Sequence, residues 1–128
     1  MFREVRRNKK QILSEAESRG ILNKATSGVL CVLGDEAYPY GVPMSYGLEG
    51  NRLYFHCMPV GHKVDAMKRH DKVSFTVIET DQIVPEEYTT YFRSVIAFGK
   101  VTFIEEPDEK RRALRILAEK YSAEFLEG

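Results

Sequence analysis

Residues 38–75 read YPYGVPMSYGLEGNRLYFHCMPVGHKVDAMKRHDKVSF. Tyr38 to Tyr46 is an extended run broken by Pro39 and Pro43. Proline donates no ladder hydrogen bond, so this strand is an edge, is bulged, or faces a ligand. Gly47 to Asn51, with its Gly50-Asn51 pair, reads as a hairpin turn. Arg52 to Met58 alternates, with Leu53, Phe55 and Cys57 on one face and Tyr54, His56 and Met58 on the other. Pro59 stops that strand. Val60, Val64 and Met67 then fall at helical spacing, which predicts a short helix over Gly61–His70. Asp71 opens a turn into a strand over Lys72–Glu79, where Val73, Phe75 and Val77 share a face.

Working outward, Ser14 and Glu17 match a capping box, so a helix is expected from Glu15 to about Ala25. Gly28 to Gly34 (GVLCVLG) is a short apolar run between glycines, the length of a buried strand. Asp35 and Glu36 make a turn. Thr80 to Thr90 is expected to be a loop, and Tyr91 to Ile104 the longest strand, with Gly99 marking a bulge or bend. Pro107 is placed as the first residue of a final helix, whose apolar face is Leu114, Leu117, Ala118 and Tyr121. Dense strands with short connections suggest a small antiparallel barrel with helices covering its ends.

A chain of 128 residues is expected to form one domain able to bury a core without a disulfide or metal. Its 43% hydrophobic and 30% charged residues are ordinary for a globular protein. Zero formal net charge argues against non-specific nucleic-acid binding. The basic run Arg3, Arg6, Arg7, Lys9 and Lys10 reads as a solvated arm, or as an arm reaching a partner subunit or an anion. Cys31 and Cys57 lack any CxxC spacing and are expected to be buried free thiols in a reducing compartment. The first ten residues are charged rather than apolar, and no apolar run approaches a membrane span. A cytoplasmic protein without membrane contact is the expectation.

Chemistry concentrates at Gly61, His62 and Lys63, where a helix begins. Basic residues oppose the helix dipole at that end, so an external anion would account for them. The plainer reading is an ordinary helix start. Pro43, Met44, Ser45 and Tyr46 could offer unpaired backbone to the polar edge of a flat ligand, or be an irregular strand. His56 is a wall histidine or a group beside that ligand. Arg93 and Ser94, after an aromatic and hydroxyl-rich segment, are a strand entry or a ligand wall. His56, His62 and His70 have no HxxxH or HExxH spacing, so no metal site is expected. GxSxG, GxGxxG and P-loop patterns do not occur.

The succession FREVRR, TSGVLCVLGDEAYPYGVPMSYGLEGNRLYFHC, GHKVDAMKRHDKVSF and VPEEYTTYFRSVIAFGKV resembles the pyridoxamine 5′-phosphate oxidase-like FMN-binding split-barrel proteins. Within that group it is most similar to the nitroimidazole-resistance proteins. The resemblance implies a mainly β fold with flanking helices, a six-stranded antiparallel split β-barrel. It also implies a homodimer with FMN at the subunit interface. His62 and Lys63 would hold the FMN phosphate. Phe55, His56 and Cys57 would line the flavin, Pro43, Met44, Ser45 and Tyr46 would meet its edge, and Arg93 and Ser94 would contact it. True pyridoxamine phosphate oxidases carry arginine where this chain has His62, and a C-terminal substrate-binding extension not found before Gly128. Pyridoxal phosphate synthesis is therefore not expected.

Two functional classes follow from the resemblance. One is a flavin-dependent oxidoreductase passing electrons to a small electron-poor substrate such as a nitroimidazole or nitroaromatic, with His56 as candidate catalytic group. The other is a binding module, storing or sensing FMN, or binding haem through a histidine.

Overall fold

The computed structural model describes residues 14–56, 59–84 and 89–121, with backbone alone over residues 80–84 and 89–92. Among these residues the order is helix α1 (Glu15–Lys24), strand β1 (Gly28–Leu33), a 3-10 turn (Asp35–Ala37), β2 (Pro39–Met44), β3 (Gly47–Glu49), β4 (Arg52–Tyr54), α2 (His62–Arg69), β5 (Lys72–Val84), β6 (Thr89–Lys100) and α3 (Pro107–Tyr121). The strands form an antiparallel four-stranded sheet, β2-β1-β5-β6, and a two-stranded sheet, β3-β4. The architecture is mainly β with flanking helices, as expected. No helix among the described residues is long and apolar enough to cross a membrane.

Local signals explain several elements directly. The Ser14 hydroxyl accepts from the Glu17 N–H (3.1 Å) and the Glu17 carboxylate accepts from the Ser14 N–H (3.2 Å), closing the capping box. Strand β2, with its two prolines, lies at the sheet edge, where missing donors cost no ladder bond. Pro107 opens α3, where its fixed φ suits the helix and its missing N–H is no loss.

The inner sheet face makes the core. Leu30 and Val32 of β1 and Phe75 and Val77 of β5 are buried against Ile21 and Leu22 of α1 and Ala66 and Met67 of α2. Leu30 is 1% exposed, and truncating such a side chain typically costs about 2–5 kcal/mol.

Tyr46 is the node of this core. It is 0% exposed. Its hydroxyl donates to the Leu22 carbonyl of α1 (2.5 Å), and its ring meets Phe75 edge-on with centroids 4.8 Å apart. Its backbone belongs to α3: the Tyr46 N–H donates to the Tyr121 hydroxyl (2.9 Å). That hydroxyl lies 2.6 Å from the carbonyls of both Tyr46 and Thr26, and its single proton can serve one of them at a time. The Lys120 Nζ sits 3.8 Å above the Tyr46 ring. It is buried and has no hydrogen-bond partner among the described residues; burial pushes its pKa down.

The expected strand boundaries are revised. Gly47 pairs with Tyr54, and the β3–β4 ladder ends there. Pairs in the ladder alternate, so the Tyr46 N–H and carbonyl point away from β4, to where the Tyr121 hydroxyl meets them. Strand β4 stops at Tyr54 instead of running to Met58, and His56 follows the strand instead of sitting within it. Gly47 to Glu49, expected as turn, is strand, with the turn at Gly50-Asn51.

Three further expectations are revised. Of the loop expected over Thr80–Thr90, residues 80–84 and 89–90 are strand, with β5 and β6 in register from Asp81↔Phe92 to Val84↔Thr89, and residues 85–88 lie outside the described residues. The bulge falls at Glu79, the extra residue between the pairs Ile78↔Ser94 and Thr80↔Arg93, while Gly99 pairs regularly with Val73. Strand β6 ends at Lys100 and not Ile104, since its partner β5 begins at Lys72 and the Val101 N–H turns to the Asp71 carbonyl. The basic arm over residues 1–13 lies outside the described residues.

The outer sheet face exposes several large apolar side chains among polar ones. Register places Val29 and Leu33 of β1, Ile78 of β5 and Ile96 and Phe98 of β6 on it, exposed by 37%, 40%, 53%, 58% and 58%. Cys31 stands among them, half-buried and free, rather than in the core.

Tyr121→Phe removes the hydroxyl that holds Tyr46. We expect a loss of about 1–3 kcal/mol in urea unfolding, the cost of leaving a buried donor unmade. Burial raises the Tyr46 phenol pKa to about 12. The unfolded chain then ionises first, near its ordinary value of about 10. The stability this neutral phenol contributes is present below about pH 10 and is lost as pH rises towards 12. Tyr46→Phe is expected to flatten that alkaline limb in thermal melts recorded across pH 9–12.

Candidate functional site

The site is built at the start of α2. Gly61 is the N-cap, with φ 136° and ψ 175°, a region essentially reserved for glycine. A Cβ there would meet nothing within 4 Å, so the backbone conformation and not space requires glycine. The first helical bond runs from the Asp65 N–H to the Gly61 carbonyl (3.0 Å). The N–H groups of His62, Lys63 and Val64 precede it. Gly61 has no side chain to cap them, and no acceptor meets them among the described residues. Lys63 is half-buried, and its ammonium has neither a carboxylate nor an acceptor among the described residues. Unpaired amides and an unpaired cation on one helical turn can take an anionic oxygen group.

His62 is already engaged. Its Nε2 accepts from the Asp35 N–H (3.1 Å), and its ring stacks on Tyr40 with centroids 4.1 Å apart at 25°. The Asp35 Oδ2 lies 3.7 Å from the same nitrogen. The shorter, directed amide bond decides the geometry. At the other end of α2, Arg69 pairs with the Asp35 Oδ1 (3.0 Å). The turn that presents Asp35 carries two consecutive left-handed residues, Glu36 and Ala37, with φ of 56° and 63°.

The remaining sequence-derived candidates divide into groups. Met44 and Tyr46 are buried in the core, and Phe55 is half-buried with its ring edge-on to Phe75 at 5.1 Å. Pro43 faces outward on β2 opposite Val29, and Ser94 faces outward on β6 opposite Ile78. Those two share the outer face, at its opposite edges. Ser45 and His56 are exposed, and His56 has no hydrogen-bond or ionic partner among the described residues. Cys57 lies outside the described residues. Arg93 is spent on two carboxylates, Glu79 (3.0 Å) and Glu17 (3.4 Å); the bulge at Glu79 sets the first pairing. The structure thus joins His62 and Lys63 at one helix start, and uses Tyr46 and Arg93 for internal ties.

Sequence reading missed Tyr40, Gly34, Asp35 and Arg69. Asp35 and His62 are 27 residues apart on different elements, and no spacing rule links them. Gly34 alone carried a signal, as the glycine ending an apolar run. A Cβ on it would lie 3.0 Å from the His62 Nε2.

Comparison with known proteins agrees with this architecture. A protein of Rhizobium meliloti (strain 1021) is 36% identical over 69 residues, which are 54% of this chain and 44% of that protein; the match spans less than half of the relative's length. A solved structure from Bacteroides thetaiotaomicron VPI-5482, described as a candidate 5-nitroimidazole antibiotic resistance protein, is 32% identical. It superimposes with a TM-score of 0.76 over 87% of this chain and 68% of its own. A FAD-binding protein from Mesorhizobium loti matches at 26% identity with a TM-score of 0.68, covering 84% of this chain and 75% of its own. The family model described as pyridoxamine 5′-phosphate oxidase matches residues 14–126. That match takes in every described element from the capping box of α1 to the end of α3, and the chain belongs to this family of split-barrel proteins.

Proposed function

We propose that the protein is an FMN-binding flavoprotein, acting as a homodimeric oxidoreductase on small electron-poor substrates such as nitroimidazoles or other nitroaromatics, in the cytoplasm. The observation that carries this reading is the start of α2, where three amides and the Lys63 ammonium have no partner among the described residues. A terminal phosphate matches that donor set in charge and number. Family membership and the similarity to a candidate nitroimidazole-resistance protein support the choice of ligand and substrate class.

When bound, FMN would supply the redox chemistry, taking electrons from a reduced donor and giving them to the acceptor. The chain's own residues bind, orient and exclude water. Lys63 and the amides of residues 62–64 hold the phosphate. His56, exposed and without a hydrogen-bond or ionic partner among the described residues, is the candidate to hold a proton beside the ring.

The apolar side chains of the outer face support the dimer. The open face of an antiparallel sheet usually presents polar residues to water, and large apolar side chains exposed there are typical of interaction surfaces. A second copy seated there would bury Val29, Ile78 and Ile96. Pro43 and Ser94, on the same face, would then lie at the subunit boundary.

The absorption spectrum of the purified protein tests the cofactor. Flavin bands are expected; an intense Soret band would favour haem and reject the reading. Lys63→Ala is expected to weaken FMN binding by about tenfold or more, as for a charge-assisted contact to phosphate, measured by fluorescence titration. Gly61→Ala is expected to cost about 1–3 kcal/mol of stability through backbone strain and to weaken FMN as well. Ile96→Glu is expected to give monomers in sedimentation, and an unchanged dimer would move the interface elsewhere. Stopped-flow reduction by NADH or NADPH, then reoxidation by a nitroimidazole, separates enzyme from carrier.

A further inference from the structure

His62 was expected to touch a phosphate through its ring, but its described contacts are with the connection between β1 and β2. Its Nε2 accepts the Asp35 N–H at 3.1 Å, so that nitrogen carries no proton and the neutral ring holds its proton on Nδ1. This is the less common arrangement for a free histidine. The ring lies flat on Tyr40, and its Nε2 lies where a side chain at position 34 would sit. The connection it grips holds two left-handed non-glycine residues, Glu36 and Ala37. Such strain persists only where the surroundings enforce it, and it clusters at ligand clamps. Arg69 holds the same Asp35 from the last turn of α2. One turn is thus tied to both ends of the helix whose first amides and Lys63 form the anion grip.

We infer that His62 is a positioning residue: as a neutral Nδ1–H tautomer latched to the Asp35 amide, it fixes the start of α2 so that Lys63 and the free amides face a phosphate together. This deepens the FMN reading and rests on it. The inference makes His62 an acceptor first, and leaves Nδ1–H as the ring's sole donor. The group that most directly competes for Nε2 is the Asp35 carboxylate, itself shared with Arg69.

Two measurements test this on the full chain. Long-range proton–nitrogen NMR of histidine-labelled, ligand-free protein should show the His62 ring, identified by its loss in His62→Gln, protonated on Nδ1. An Nε2-protonated ring overturns the latch whatever the protein binds. The second measurement is the ratio of FMN to riboflavin affinity, since riboflavin lacks the phosphate. His62→Leu should lower that ratio by about tenfold, with riboflavin affinity retained. His62→Gln, whose amide oxygen can still accept the Asp35 N–H, should restore most of it. Tyr40→Leu, which removes the stacking partner and leaves the imidazole intact, should lower it part-way. Equal loss of both flavins in His62→Leu would make the residue merely structural. No rescue by glutamine, or an unchanged ratio in Tyr40→Leu, would assign direct contact and overturn positioning. A parent protein that binds neither flavin removes the FMN reading and the phosphate role together, while the tautomer still decides the latch.

Discussion

Tyr46 is where the separate layers of this protein are joined. Its hydroxyl reaches α1 through Leu22, its ring reaches β5 through Phe75, and its backbone is held from α3 by Tyr121. The Tyr121 hydroxyl meets both backbone groups of Tyr46 just ahead of β3, and the β3–β4 ladder ends at Gly47 and Tyr54. The chain after Tyr54 is released from the sheet at that point. His56 becomes exposed, and the segment can turn at Pro59 to Gly61 into α2.

The grip itself follows from conflicts that a helix normally avoids. Basic residues stand at the positive end of the dipole, and the N-cap offers no acceptor. Within the folded chain these groups gain nothing from each other. An anion would resolve the conflict, and a phosphorylated flavin is the anion we propose. The tie from Asp35 to His62 and Arg69 holds that helix in place before any ligand arrives, which reduces the ordering cost of binding.

Much of the fold was legible locally. The Ser14–Glu17 box, the prolines of the edge strand β2, the Gly50-Asn51 turn, the period of α2 and Pro107 at the head of α3 each carry their own short-range physics. The failures share a different cause. The tie that fixes Tyr46 ahead of β3 comes from Tyr121, 75 residues away. The strand pairing over residues 80–84 and 89–92 depends on β5 and β6 holding register beyond the reach of β1, which pairs with β5 only from Ser74 to Thr76. The bulge chose Glu79, whose side chain meets Arg93 there, over a glycine with better intrinsic freedom.

The candidate site divides along the same line. Gly61, His62 and Lys63 were legible because a helix start is a local event, with fixed directions for its free amides. Sequence by itself determined that donors and a cation would meet there. Only the tertiary structure decided which of them remain available. Arg93 was taken by Glu79 and Glu17, Tyr46 by three neighbouring elements, and the His62 Nε2 by an amide 27 residues away. Lys63 was left without a partner among the described residues. Side-chain chemistry fixes what a residue can donate or accept, but folding brings the competitors for each bond within reach, and that competition is absent from the order of residues along the chain.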